Sequence, residues 1–144
     1  MFLVDVNVLV YAVDPDQPRH AAALEWLEER LNGRGKTVGL PWETLLGFMR
    51  ITTNPRIFRT PATTEQSWGQ VDEWLSSPAS WIPIPGPGHK NILDRIMRTE
   101  RPVAKLIPDA HLVALAIEHG LTVASADTGF AEFKDVRSVD PTRP

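Results

Sequence analysis

The sequence predicts an α/β domain with a three-layer α/β/α arrangement: a short, mostly parallel central sheet with helices on both faces. Three observations predict it. Short apolar-rich runs at 2–4, 37–40 and 121–124 are the length of buried strands and too brief for helices. Longer stretches with apolar residues at helical spacing lie between them. Prolines, glycines and asparagines punctuate the joins, and strands that alternate with helices pair in parallel. The 144 residues suit one domain, residues 1–144, with Asp140 to Pro144 a candidate for a disordered tail.

Taken in order, the run 2–4 is the first strand and ends at the polar pair Asp5 and Asn7. A helix over 19–31 places Ala22, Ala23, Trp26, Leu27 and Arg30 at helical spacing, with Gly33 as the glycine just past its end. The second strand spans 37–40. Pro41 then suits the first turn of a helix carrying Glu43, Leu45, Leu46, Phe48 and Met49, which stops before Asn54-Pro55. Thr63 and Gln66 make a capping box for a helix to Leu75. The run 81–85 reads as an edge strand, because two prolines cannot serve a central ladder. The turn Gly86-Pro87-Gly88 leads into an amphipathic helix with Ile92, Leu93, Ile96 and Met97 inward. Pro108 opens another helix, closed by Gly120, and strands follow at 121–124 and 136–139.

Composition narrows the chemistry. With no cysteine, disulfides, cysteine-ligated zinc, iron–sulfur clusters and thiol catalysis are excluded. No apolar run approaches the ~20 residues of a membrane span. The first residues meet an acid at Asp5 without a basic segment, so no secretory signal is expected and the expected location is the cytoplasm. The formal net charge is -3, from 18 acids against 15 bases.

Four carboxylates stand where packing alone would not put them. Asp5 follows a buried strand directly, and Asp127 lies three residues past Ala124, so both belong at carboxyl ends, where α/β sheets bind ligands. Asp109 precedes Leu112, Val113, Ala116 and Ile117 at offsets that put it on the core-facing side of its helix. Glu43 shares a face with Leu46, Gly47 and Arg50. Singly, each acid has an ordinary explanation: a helix-start charge for Glu43 and Asp109, a turn or N-cap for Asp5 and Asp127. Together, inward-facing carboxylates without counter-charges repel and resist ionising. A divalent cation resolves the conflict, and oxygen-only donors suit magnesium or manganese. The histidines are expected elsewhere: His89 and His119 on helix surfaces, His20 at a helix start, His111 off the apolar stripe.

The ordered set Asp5-Val6-Asn7, Glu43, Pro108-Asp109 and Ser125-Ala126-Asp127-Thr128-Gly129-Phe130 resembles the PIN domain. The closer likeness is to the toxin ribonucleases of VapBC toxin–antitoxin modules, and residues 48–58 resemble one VapC subgroup. The resemblance implies an Mg²⁺- or Mn²⁺-dependent endoribonuclease with Asp5, Glu43, Asp109 and Asp127 as its acidic quartet. It makes Asp5 the central metal ligand and Asp109 and Asp127 its companions, with Glu43 orienting or deprotonating the attacking water. Asn7, Ser125 and Thr128 match positions that hydrogen-bond those acids or their waters. Gly129 departs from members that carry a further Asp or Asn there. The resemblance further implies a homodimer and a VapB-type antitoxin.

The RNA grip must come from local basic surface. The stretch from Thr44 to Thr64 has no acid but holds Arg50, Arg56 and Arg59. Arg50, on the Glu43 face, is either an RNA-phosphate ligand or a salt-bridge partner of Glu43. The run Lys90, Arg95, Arg98, Arg101 and Lys105 reads as solvated helix surface. Of the tryptophans, Trp26 and Trp74 fit core spacing, while Trp42 and Trp81 sit beside apolar residues and are expected to pack. Setting the quartet aside from the 18 acids leaves 14 against 15 bases, so mild acidity is no argument against an RNA substrate. Two other readings remain open: a catalytically silent RNA-binding or assembly module, and a haloacid-dehalogenase-like phosphatase with Asp5 as nucleophile. The second expects an Asp where Asn7 stands.

Overall fold

A computed structural model describes residues 1–143. Its strands are β1 (Phe2–Val4), β2 (Val38–Gly39), β3 (Ser80–Trp81), β4 (Thr122–Ala124) and β5 (Ser138–Val139). Its helices are α1 (Val6–Val13), α2 (His20–Leu31), α3 (Trp42–Thr52), α4 (Thr64–Leu75), α5 (His89–Thr99) and α6 (Leu106–His119). A 3-10 turn covers Thr128–Glu132. The strands form one sheet in the order β3-β2-β1-β4-β5, and every pairing is parallel. The chain therefore builds outward from β1 on one side, then crosses to β4 on the other. That reversal opens a crevice beyond the carboxyl ends of β1 and β4.

Alternation along β1 divides the core. Val4 joins α1, α2, α3 and α4 through Val8, Leu9, Leu27, Leu45, Phe48 and Trp74. Leu3 faces the opposite way, onto Ile96, Val113, Leu115 and Phe130 beside α5 and α6. β1 pairs with β4 at Phe2–Thr122, Leu3–Val123 and Val4–Ala124. Asp5 and Ser125 thus leave adjacent strands at the same level.

Local chemistry accounts for most boundaries. Thr63 and Gln66 close the capping box at the start of α4. Gly120 takes the left-handed conformation (φ 68°) that ends α6, which is nearly free for glycine and strained for other residues. β3 is an edge strand but covers only Ser80–Trp81; Pro83 and Pro85 lie beyond it. Helix α6 begins two residues before Pro108, which a first turn tolerates because its amide has no partner there. Asp109 remains in that first turn.

Other expectations give way. Helix α1 has no counterpart in the sequence reading, because its run of Val, Leu, Tyr and Ala lacks a polar face and hence helical periodicity. It is helical because Asp5 caps it, accepting from the Val6 amide at 2.8 Å, and because Val8, Leu9, Val10 and Ala12 are buried. Gly33 follows the cap residue Asn32 without a positive φ; the left-handed turn falls at Gly35 (φ 77°). Trp42 is 40% exposed rather than packed. Asp140, expected in a disordered tail, accepts from the Thr142 amide and pairs with Arg143 and Arg19. The remainder of that expectation, Pro144, lies outside the described residues. No helix among the described residues is long and apolar enough to cross a membrane.

The crossing of α1 and α3 sets the near wall of the crevice. A Cβ on Gly47 would fall 2.9 Å from Cγ2 of Val6, a stiff β-branched side chain that cannot swing away. Gly47→Ala is expected to cost about 1–3 kcal/mol in urea unfolding, the usual range for overpacking a close contact.

Candidate active site

The acids expected to act together gather beyond the carboxyl ends of β1 and β4, each delivered by a different element. Asp5 ends β1, and its amide donates to the Ala124 carbonyl at 3.0 Å, continuing the strand pairing by one residue. Its Oδ1 accepts from Val6, and its Oδ2 accepts from Ser125 Oγ at 2.8 Å and Asn7 Nδ2 at 3.2 Å. Ser125 Oγ in turn accepts from Asn7 Nδ2 at 3.0 Å and from the Asp127 amide at 2.9 Å. The Ala126 amide donates to Asn7 Oδ1 at 3.0 Å. Ser125 and Asn7 therefore lock Asp5 and the Asp127 loop together. Thr128 does not. It is exposed and caps nothing; the bond to Asp127 Oδ1 comes instead from the Gly129 amide at 2.9 Å.

A cleft of about 650 Å³ is lined by Asp5, Glu43, Gly47, Arg50, Asp109 and His111. Glu43 reaches it from the first turn of α3 and Asp109 from the first turn of α6, where helix dipoles favour negative charge. Arg50 lines the same cleft, exposed, but it is not the partner of Glu43. That role belongs to His111, whose Nε2 lies 3.1 Å from Glu43 Oε1. Arg56 sits exposed in the turn after α3, and Arg59 lines a separate cavity with Phe48 and Phe58. Neither is brought to the acids.

Two features escaped the sequence reading. Lys105 is exposed, as expected of a surface lysine, but it stands at the N-terminal boundary of α6 and its ammonium pairs with Asp127 Oδ2. Its spacing, one helical turn before Asp109, was the available signal. Arg95 and Arg98 do behave as surface, paired with Asp135 and Asp94. His89, expected on a helix surface, is buried and lies 3.1 Å from His111 Nδ1. Nothing in the local pattern marked it, because its ring packs on His111 of α6, 22 residues further along the chain.

The charge balance is uneven. Burial raises Asp5 above the usual aspartate range despite its hydrogen bonds to Ser125 and Val6. Burial first, and the charge on Asp5 next, push Asp109 up to about 6. The Lys105 ammonium and the Gly129 amide hold Asp127 below the ordinary value. Asp109 Oδ2 is buried with no hydrogen-bond partner, an arrangement that is costly unless something positive meets it. A hard divalent cation fits this oxygen-only donor set. No three acidic or histidine side chains among the described residues converge as a ready cage. The donors accordingly suit an ion that keeps several waters and takes only one or two carboxylates, as magnesium commonly does.

Residues 2–136 match the family model for the PIN domain. The chain is 38% identical over 141 residues to Ribonuclease VapC37 of Mycobacterium tuberculosis, covering 98% of this chain and 97% of that protein. It is 40% identical over 137 residues to VapC ribonuclease Mb2897 of Mycobacterium bovis, covering 95% and 92%. Its fold resembles that of VapBC2 from Rickettsia felis, solved bound to a promoter DNA fragment, with TM-score 0.70, 13% identity and 96% of each chain covered.

The raised Asp109 has a stability consequence whose sign is fixed by proton binding. Between the ordinary 3.8 and about 6, the folded chain holds a proton at Asp109 that the unfolded chain has lost. Stability from this group is therefore full below 3.8 and lost as pH rises through about 6. In EDTA, Asp109→Asn is expected to unfold at higher urea than the unmodified chain at pH 7, with the gap closing towards pH 4. A gap that stays constant across that range contradicts the assignment.

Proposed function

The chain belongs to the PIN domain family, and on that premise we propose that it is a VapC-type toxin, an endoribonuclease that hydrolyses RNA phosphodiester bonds with Mg²⁺ or Mn²⁺. The observation that carries this reading is the unpartnered, buried Asp109 Oδ2 beside Asp5 in a cleft that also holds Glu43 and Arg50. Asp5 would be the central ligand of the cation, with Asp109 and Asp127 completing its inner shell or holding its waters. When bound, such an ion lowers the pKa of a coordinated water and neutralises charge on the phosphate.

The chain's own residues have separable tasks. Ser125 and Asn7 fix the Asp5 carboxylate, so its orientation does not depend on the ligand. Glu43, half-exposed at the cleft mouth, is the group able to orient the attacking water and accept its proton. Arg50, exposed on the same wall and free of a carboxylate partner among the described residues, is suited to a phosphate oxygen. Arg56 lies further along the same acid-free stretch and would contact RNA outside the cleft. Asn7 also weighs against the phosphatase alternative. It stands where that mechanism needs a second aspartate, and both ends of its amide are committed to Asp5, Ser125 and Ala126.

The partners follow from the same premise: an RNA substrate, a VapB-type antitoxin, a second copy of the chain as a homodimer, and a cytoplasmic setting. An arginine-bearing antitoxin segment would find in this cleft the positive charge deficit that a metal otherwise fills.

Purified protein freed of antitoxin is expected to cut total cellular RNA with Mn²⁺ and not with EDTA. Asp5→Ala is expected to lose at least about a hundredfold in initial rate. Folded protein that yields no metal-dependent fragments would favour the silent binding module.

A further inference from the structure

The cleft has a wall that the acidic quartet does not explain. His111 stands between Glu43 and His89, with Nε2 3.1 Å from Glu43 Oε1 and Nδ1 3.1 Å from His89 Nε2. The two rings meet edge to face, with centroids 4.9 Å apart. This line of bonds runs from α5 through α6 to α3 and so ties the helices on opposite faces of the sheet across its carboxyl edge.

The far end is braced. His89 is the first residue of α5, and the loop before it is pinned by Glu118, which accepts from the Gly86 amide at 2.8 Å and the Gly88 amide at 2.9 Å. His119 Nε2 lies 2.8 Å from the Ile84 carbonyl and holds the same segment. At the near end, Glu43 is a long side chain with half its surface exposed, and His111 is the one side chain that hydrogen-bonds it among the described residues.

Proton placement along the line has one economical solution. A carboxylate only accepts, so His111 Nε2 donates to Glu43. His111 Nδ1 then accepts, and His89 Nε2 is the donor to it. That leaves His89 Nδ1 without a proton, which suits an atom that is buried and has no partner. The reverse order would bury an N–H with nothing to receive it, the costlier omission.

We propose that His111, held in a single tautomer by His89, is the positioning residue for Glu43, fixing its carboxylate at the cleft mouth for the attacking water. This inference rests on the endoribonuclease reading of the cleft. His111 acts through Glu43 rather than on RNA. A group held within the reach of one hydrogen bond stays close to its productive geometry, and small misplacements of a catalytic group are costly in rate.

The test is a double-mutant cycle on the full chain, read as the initial rate of Mn²⁺-dependent cleavage of total cellular RNA. His111→Ala is expected to slow cleavage about tenfold, and His111→Gln, whose side-chain amide can still donate, to stay within about threefold of the unmodified chain. In a Glu43→Ala background, His111→Ala is expected to cost less than about twofold more, because its target is gone. Long-range nitrogen–proton NMR of the histidines is expected to show His111 as the Nε2–H tautomer, and this readout does not depend on any variant folding. Equal losses in both backgrounds would mean that His111 contacts RNA directly and would overturn the inference, as would an Nδ1–H tautomer or a folded His111→Gln as slow as His111→Ala. An unmodified chain inert with Mn²⁺ would overturn the endoribonuclease reading instead, and this inference with it.

Discussion

The acidic rim depends on one hydroxyl. Ser125 Oγ donates to Asp5 and accepts from Asn7 and from the Asp127 amide, which uses its one proton and both lone pairs. No capacity is left over, so the positions of Asp5, Asn7 and the loop carrying Asp127 are mutually determined. The bond is possible because β1 and β4 pair with Val4 opposite Ala124, which brings Asp5 and Ser125 off neighbouring strands at one level. A register shift by one residue would move Ser125 out of reach and exchange the buried faces of β4. The same hydrophobic alternation that sorts Leu3 from Val4 between the two cores therefore also holds the site in place.

That rigid frame carries charge that the chain alone balances only in part. Lys105 neutralises Asp127, His111 engages Glu43, and the first turns of α3 and α6 lend their dipoles to Glu43 and Asp109. Asp5 and Asp109 are left with raised affinities for protons, and one Asp109 oxygen is left bare. Other buried polar atoms also lack partners, Thr44 Oγ1 and Trp81 Nε1 among them, but Asp109 Oδ2 is the one carried by a carboxylate whose proton affinity burial and the neighbouring Asp5 charge raise. With Ser125 and Asn7 fully hydrogen-bonded, the bare Asp109 Oδ2 is the atom of this rim at which a positive charge would offset the cost of burial.

Much of this was readable from the residues in order. The strands, the capping box at Thr63 and the Gly120 helix stop follow from periodicity and turn chemistry. The failures share a cause. Helix α1 was invisible because it is buried nearly all round, and a helix without a polar face has no period to detect. The Asp127 carboxylate is held in its loop by the Gly129 amide, and backbone donors leave no mark on sequence. Lys105 and Arg98 are equally basic in sequence, and only one of them lies beside the acids.

The sequence by itself determined the fold class and marked the four acids as standing out from their apolar surroundings. Those follow from properties that each segment carries alone: length, periodicity, and a carboxylate set next to a buried run. The tertiary structure decided which partners those acids have. Glu43 is held by His111 rather than Arg50, Asp127 by Lys105, and His89 is buried behind them, although 68 residues separate Glu43 from His111 and 22 separate Lys105 from Asp127. Such pairings depend on how α3, α5 and α6 converge over the sheet edge. Convergence is a property of packing between distant segments, which no local pattern records.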